Sequence, residues 1–228
     1  MDFSVSSGLA EQIAAYLEDR IIRLEIKPGQ RIREAAVAEE LGVSRSPVRE
    51  ALRILENNLV VELIPRRGAR VTVISETFIC DLCDVLAELL GLVGSKCPVN
   101  GIDEELAVID EAAKRSWTCA NNGDLDGYYT AVLDFCMACL KAAKNQLLEQ
   151  MITELLPNLR RIIYASFLAM GDTIKTNADT VITGNNYVQQ RNPEMAEKTV
   201  RDYIMRMRAF ALENNAAAIL FDDHLSRH

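Results

Sequence analysis

Histidine is almost absent from this chain of 228 residues, and its two copies, His224 and His228, stand at the C-terminal end. Without a histidine elsewhere, the sequence offers no Ser–His or Cys–His pair for nucleophilic catalysis. A Gly-rich phosphate loop and a Walker-type motif are also missing. These absences argue against an enzyme.

The sequence also lacks long apolar runs and an N-terminal signal-peptide pattern. No stretch of about 18 apolar residues is present that could span a bilayer, and the first residues do not follow the charged, apolar, small-residue order of a signal peptide. The sequence therefore predicts a cytoplasmic protein that does not enter a membrane. Six cysteines do not fit a small secreted disulfide scaffold in a chain of this length, so reduced thiols are expected.

Positive charge is scarce overall but concentrated in one segment. The net charge is −8, yet residues 1–75 carry 11 Lys and Arg against 11 Asp and Glu, so the acidic excess belongs to residues 76–228. Between Val43 and Arg70, six Arg stand against three Glu. This segment is able to face phosphates. A solvated helix and a charged hairpin are the alternative.

The stretch from Leu41 to Leu59 has the pattern of a helix that reads DNA. Ser44 stands at an N-cap position, where its hydroxyl can accept a free backbone N–H, and Pro47 is tolerated in the first turn. Apolar residues then recur at helical spacing and predict a buried stripe. Polar residues at the start of this helix are predicted to point outward, and in helix-turn-helix motifs this end of the helix enters the major groove. These residues are Ser44, Arg45, Ser46 and Arg49.

The flanking segments complete a small domain, residues 1–75. Helices are predicted over Leu9–Glu25 and Glu34–Leu41, and a short strand is allowed at Gln30–Ile32. Strands over Leu59–Leu63 and Arg70–Ile74 form a hairpin wing. Its tip carries Arg66, Arg67 and Gly68. Because Gly has no side chain, the guanidinium groups beside it are able to approach a phosphate or a narrow groove. A soluble hairpin tip is the alternative.

Residues 76–228 form the second predicted domain, an antiparallel α-helical bundle. Apolar stripes at helical spacing recur, and no strand pattern competes with them. The predicted helices lie near residues 76–96, 102–121, 124–143, 146–170, 177–191 and 194–214. The predicted fold is therefore mainly α, with an N-terminal winged helix-turn-helix and a C-terminal bundle. Arg160 and Arg161, midway along one helix, are either solvated or paired, or offer a guanidinium to an anionic ligand.

The sequence LGVSRSPVREAL, with KPGQRIRE before it and PRRGARV after it, resembles the winged helix-turn-helix of GntR-type bacterial transcription regulators. The resemblance is to the FadR-like branch with an all-helical C-terminal effector domain. It covers about the first 75 residues by motif, and the rest by helix order and by the stretches KAAKNQLL and NPEMAEKTVRDYI. The residues that it assigns to DNA binding are Arg33, Ser44, Arg45, Ser46, Pro47, Arg49, Arg66, Arg67 and Gly68.

The resemblance implies a sequence-specific repressor. Its C-terminal domain would form a homodimer and sense a small molecule, so that two winged helices read an operator with an inverted repeat. The rival prediction keeps the DNA reader but gives it a bundle that binds no metabolite. Such a protein would respond to a protein partner, or to oxidation or zinc binding at cysteines.

Many relatives of this branch hold a divalent metal inside the bundle with an Asp and three His. The stretches KAAKNQLL and NPEMAEKTVRDYI align those positions with residues of other types here, so no metal cofactor is expected. The pocket should instead be dry and apolar, and should favour an organic effector whose polar end contacts Cys136 and Tyr203. The pocket residues implied by the resemblance are Leu86, Leu90, Val132, Cys136, Val181 and Tyr203.

Two C-x-x-C pairs, Cys80 with Cys83 and Cys136 with Cys139, leave a second possibility open. Their spacing alone is typical of tetrahedral zinc. Both pairs, however, lie within predicted helices among Leu, Val and Met, where thiols behave as small apolar side chains. Core packing is the favoured interpretation, and zinc binding or redox sensing is the alternative.

Overall fold

The computed structural model describes residues 7–65 and 67–213. This part of the chain is mainly helical, with one small antiparallel sheet near its start. It divides into two compact units. The first contains the chain up to Ser75 together with Leu155–Ile162, and the second contains Glu76–Glu154 and the described residues from Ile163 onward.

The first unit is a winged helix-turn-helix. A three-helix core carries a three-stranded sheet in which β3 lies between β1 and β2, antiparallel to both. Its helices are α1 (Ser7–Ile22), α2 (Glu34–Leu41) and α3 (Arg45–Asn57), and its strands are β1 (Arg31–Ile32), β2 (Val61–Ile64) and β3 (Gly68–Val71). The predicted winged helix-turn-helix is confirmed.

The three helices share one apolar core. Leu17 of α1 and Leu52 of α3 are completely buried, and α2 adds Val37 and Ala38. Three local predictions had the wrong bounds. Helix α1 ends at Ile22, three residues before the predicted end, because Leu24 takes a left-handed conformation with φ 62° that cannot continue a helix. The two strands of the hairpin span Val61–Ile64 and Gly68–Val71, rather than Leu59–Leu63 and Arg70–Ile74.

The second unit is an all-helical bundle. Helix α4 packs along α9, while α5 packs against α6 and α8. A short 3-10 turn, Gly171–Thr173, precedes α8. The helices that belong to it wholly or in part are α4 (Glu76–Asn100), α5 (Asp103–Asn121), α6 (Leu125–Ala142), α7 (Gln146–Met170), α8 (Ile174–Gln189) and α9 (Pro193–Glu213). The segment Leu155–Ile162 of α7 belongs to the first unit. None of the described helices is long and apolar enough to cross a bilayer.

Helix α4 does not end where the sequence predicted. The break expected from Pro98 to Gly101 comes later, because the helix continues through Pro98 to Asn100. The side chain of Arg191 donates hydrogen bonds of 3.0 Å to the carbonyl oxygens of both Pro98 and Gly101. A guanidinium at this position satisfies carbonyl groups that a helix end leaves without partners.

Candidate functional site

An arginine-rich cleft opens where the start of α3 meets α2 and the sheet. Its volume is about 650 Å³, and among the described residues five guanidinium-bearing side chains line it around a single carboxylate, that of Glu34. The predicted DNA-contacting residues in this lining are Arg33, Arg45, Arg49, Arg67 and Gly68. Such a density of fixed positive charge attracts the phosphates of nucleic acid.

The start of α3 is exposed beside this cleft. Ser44 is the N-cap residue, as predicted, and has extended backbone, but its hydroxyl makes no capping hydrogen bond. That residue is exposed, as are the side chains of Arg45 and Ser46, while Pro47 sits half-buried in the first turn. Arg66 lies outside the described residues. The first turn of α3 therefore presents polar groups to solvent, while Val48 and Leu52 face the core.

Arg49 is held by Glu34 in a two-point contact. Its Nε donates to Oε1 of Glu34 at 3.1 Å, and its Nη2 donates to Oε2 at 2.8 Å. The hydrogen bonds from Arg49 keep the pKa of the Glu34 carboxyl below its usual value. Neither Glu34 nor Arg31 was identified from the sequence as part of this site. Only the alternation of Arg31, Ile32 and Arg33, which places both Arg on one face of a strand, could have indicated Arg31.

Gly68 begins β3 at the edge of the cleft, and only glycine fits there. Its φ is +90°, a conformation that L side chains rarely adopt. A Cβ atom built at this position would lie 2.2 Å from the carbonyl oxygen of Ile32 in β1. The absence of a side chain therefore allows β1, which carries Arg31, to approach the start of β3.

A second, smaller cavity lies inside the bundle among α4, α6, α8 and α9. Its volume is about 80 Å³, and none of the described residues that line it carries a charged side chain. Leu86, predicted to line the pocket, does not, because it lies one helical turn before Leu90 and is fully buried in the packing around α4. The other predicted pocket residues do line it: Leu90, Val132, Cys136, Val181 and Tyr203.

A small polar network stands at one wall of this cavity. The hydroxyls of Tyr203 and Tyr128 both donate to Oδ1 of Asn177, at 3.1 and 2.7 Å. Asn177 Nδ2 faces the thioether sulfurs of Met170 and Met207, which are weak acceptors. Burial raises the pKa of Tyr203, so its phenol stays neutral. The network therefore offers hydrogen bonds but no charge.

The cysteines are thiols in the described structure. Burial raises the pKa of Cys136 and that of Cys83 to about 11, so the thiolate needed for metal binding or for exchange is disfavoured at neutral pH. A hydrogen bond with Cys97 raises the pKa of Cys139 well above its usual value. Among the described residues, no three His, Cys, Asp or Glu side chains come together in a metal-binding group. The two histidines lie outside those residues.

Comparison with known proteins places these features in a family. Residues 9–71 match the bacterial regulatory proteins of the gntR family, and residues 81–206 match the FCD domain. An uncharacterised HTH-type transcriptional regulator, YdhC of Bacillus subtilis strain 168, is 29% identical over 110 residues, which are 48% of this chain and 49% of that protein. The chain thus aligns with about half the length of this relative.

Two further likenesses extend over most of the chain. The Glc operon transcriptional activator of Escherichia coli strain K12 is 27% identical over 218 residues and 86% of each chain. The solved structure of E. coli McbR/YncC superposes with a TM-score of 0.81 over 90% of this chain and 97% of that one, at 18% identity, and so shows a shared fold. This chain belongs to the GntR family of DNA-binding transcription regulators and carries an FCD domain.

Proposed function

We propose that the protein is a sequence-specific repressor that reads its operator with the arginine-rich cleft and the first turn of α3. The observation that carries this proposal is the convergence of five Arg beside an exposed helix start. Arg forks match both phosphate oxygens and the guanine edge in the major groove. Repression is the simplest consequence, because a protein bound across a promoter blocks access without contacting polymerase.

We further propose the functional division predicted from the sequence, in which residues 1–75 bind DNA and residues 76–228 sense an effector and dimerise. One helix-turn-helix covers too few base pairs for a unique address, so a homodimer on an inverted repeat supplies the rest. A bacterial operator is reached in the cytoplasm, the predicted location. A reporter gene placed behind an operator that the protein binds tests whether regulation is negative or positive. Reporter expression that rises when the gene for this protein is deleted supports repression.

Replacing Arg45 or Arg49 by alanine is expected to weaken operator binding by about 1 to 3 kcal/mol, because each loses a forked contact to a base or a phosphate. The larger loss is expected for Arg49→Ala, which also leaves the Glu34 carboxylate unpaired in the cleft. Titration of the operator at fixed salt measures both. Arg53→Ala is the matched control, since Arg53 lies on the same helix, pairs with Glu50 and does not line the cleft. If Arg45→Ala and Arg49→Ala bound the operator as tightly as Arg53→Ala does, the cleft would not be part of the DNA interface.

The bundle cavity favours an uncharged organic effector. Its lining offers thiol, hydroxyl and aliphatic groups but no cation for a carboxylate and no ligand set for a metal. A cavity of about 150 Å³ with apolar walls holds benzene, so a space of 80 Å³ takes a ligand of only a few heavy atoms unless its walls move. We expect Tyr203 and Cys136 to contact the ligand's polar end.

Native mass spectrometry and thermal-shift measurements on the full chain test this assignment. We expect a dimer without stoichiometric zinc or nickel, and a melting temperature that rises with short neutral alcohols or ketones but not with carboxylates of equal length. Val181→Phe, which fills the cavity, should abolish that rise. Bound zinc or nickel that Cys136→Ala removes would overturn the assignment. Stability unaffected by any compound would favour the rival, a bundle that answers to a protein partner or to cysteine oxidation.

A further inference from the structure

The Arg49–Glu34 pair has a geometry that bears on how the operator is read. We propose that Glu34 is a specificity-determining positioning residue. It binds the Nε–Nη2 edge of the Arg49 guanidinium and so fixes the orientation of the Nη1–Nη2 edge, which can then donate two hydrogen bonds to a guanine. This inference rests on the proposed DNA-reading function. It adds a residue that does not itself need to touch DNA.

The hydrogen-bond donors of Arg49 support this assignment. A guanidinium carries five N–H donors in a plane, and Glu34 accepts from Nε and from one N–H of Nη2. The remaining three donors lie on Nη1 and on the far side of Nη2. That edge has the spacing of the two adjacent acceptors of guanine, O6 and N7, which is the commonest base-specific contact of arginine.

The position of Glu34 is itself fixed. It is the first residue of α2, where the helix dipole favours a carboxylate, and its side chain is only 21% exposed, against 54% for Arg49. Because two parallel hydrogen bonds fix a guanidinium plane better than one, Arg49 has little rotamer freedom left to lose on binding. The fork is therefore oriented before DNA arrives.

The other arginines of the cleft are not held in this way. In the part of the chain that the structure describes, the guanidinium groups of Arg33, Arg45 and Arg67 make no ion pair. They remain available for phosphates, whose attraction is independent of sequence. Glu34, the only carboxylate among the described lining residues, opposes that attraction close to Arg49. It should thus weaken non-specific binding while it strengthens base reading.

The test starts from a DNA site selected by the wild-type chain from a library of random-sequence duplexes. Dissociation constants at fixed salt are then measured for the selected duplex, for versions with one base pair changed at a time, and for a scrambled duplex. For Glu34→Gln we expect discrimination at one G·C pair of each half-site to fall about tenfold. Binding to the scrambled duplex should become tighter.

Three comparisons separate positioning from a general change in charge. Glu50→Gln removes the same charge from an exposed pair with Arg53 outside the cleft, and should leave discrimination unchanged. In an Arg49→Ala background, Glu34→Gln should cause no further loss at that G·C pair, because the residue it positions is gone. Glu34→Asp, which keeps a carboxylate, should retain part of the discrimination.

The outcomes distinguish this inference from the proposed function. If the wild-type chain enriches no sequence, the DNA-reading function fails and the inference fails with it. If a site is selected but Glu34→Gln keeps full discrimination, only the inference is overturned. The positioning role is overturned as well if Glu50→Gln lowers discrimination equally, or if Glu34→Gln acts undiminished in the Arg49→Ala background.

Discussion

Gly68→Ala is expected to lower the free energy of unfolding by at least about 2 kcal/mol and to weaken DNA binding. The new Cβ would lie 2.2 Å from the Ile32 carbonyl oxygen, and no L residue adopts a φ of +90° without strain. Because the close atom belongs to the backbone, a side-chain rotation cannot relieve the contact. Strand β1 must move instead, and Arg31 moves with it, so the cleft loses its shape.

Chemical denaturation of the two proteins measures the change. Gly42→Ala is the matched control within the same unit, since Gly42 also has a positive φ, +65°, but a Cβ there would have no atom within 4 Å. Its cost should be about 1 kcal/mol, the strain of the left-handed conformation alone. The difference between the two variants isolates the close approach to Ile32. Equal costs would mean that β1 does not approach Gly68 as described.

Local sequence signals were enough to predict the helix-turn-helix. Helix α2 has the bounds predicted for it, because Gly42 takes a left-handed conformation just after Leu41 and stops the helix there. Helix α3 starts directly after Ser44, and its buried stripe is that of the predicted apolar spacing. These features depend on residues within one or two turns of each other, which is the range over which a sequence pattern is informative.

Features that depend on distant residues were not predictable in this way. The pairing of Arg49 with Glu34 joins residues on different helices, and nothing in the spacing of the two indicates that α2 and α3 bring them together. Pro98 suggested a helix end, yet Arg191, far along the chain, satisfies the carbonyl groups of Pro98 and Gly101. The cavity lining likewise follows from the packing of four helices, which left Leu86 outside it.

Arg161 shows the same limit most clearly. From the sequence, Arg161 was predicted to be solvated, paired or in contact with an anionic ligand. In the structure it is only 2% exposed. Within the first unit, its Nη2 donates to the carbonyl oxygen of Thr72 at 2.5 Å, and its Nη1 donates to the Thr72 hydroxyl at 2.8 Å. A longer contact of 3.3 Å reaches Oδ1 of Asn158. All of these acceptors are neutral, and burial lowers the pKa of Arg161 to about 10, so it remains charged at neutral pH.

Arg161→Ala is therefore expected to destabilise the protein by about 3 kcal/mol. The substitution leaves a cavity where one of the largest fully buried side chains stood, and it removes the donor from the half-buried acceptors of Thr72 and from the buried Asn158. Relief of the cost of burying a cation offsets part of this loss. Denaturation midpoints and slopes, followed by circular dichroism, give the measured value.

Two variants separate the causes of that loss. Arg161→Met keeps most of the buried volume but donates no hydrogen bond, so its difference from Arg161→Ala reports packing, and its difference from wild type reports the bonds to Thr72 and Asn158. Arg115→Ala is the exposed control, since Arg115 pairs with Asp134 at 47% exposure and should contribute less than about 1 kcal/mol. If Arg161→Ala lowered the free energy of unfolding no more than Arg115→Ala, the hydrogen bonds of Arg161 would stabilise the fold no more than an exposed ion pair does. They would then not account for the packing of Leu155–Ile162 in the first unit.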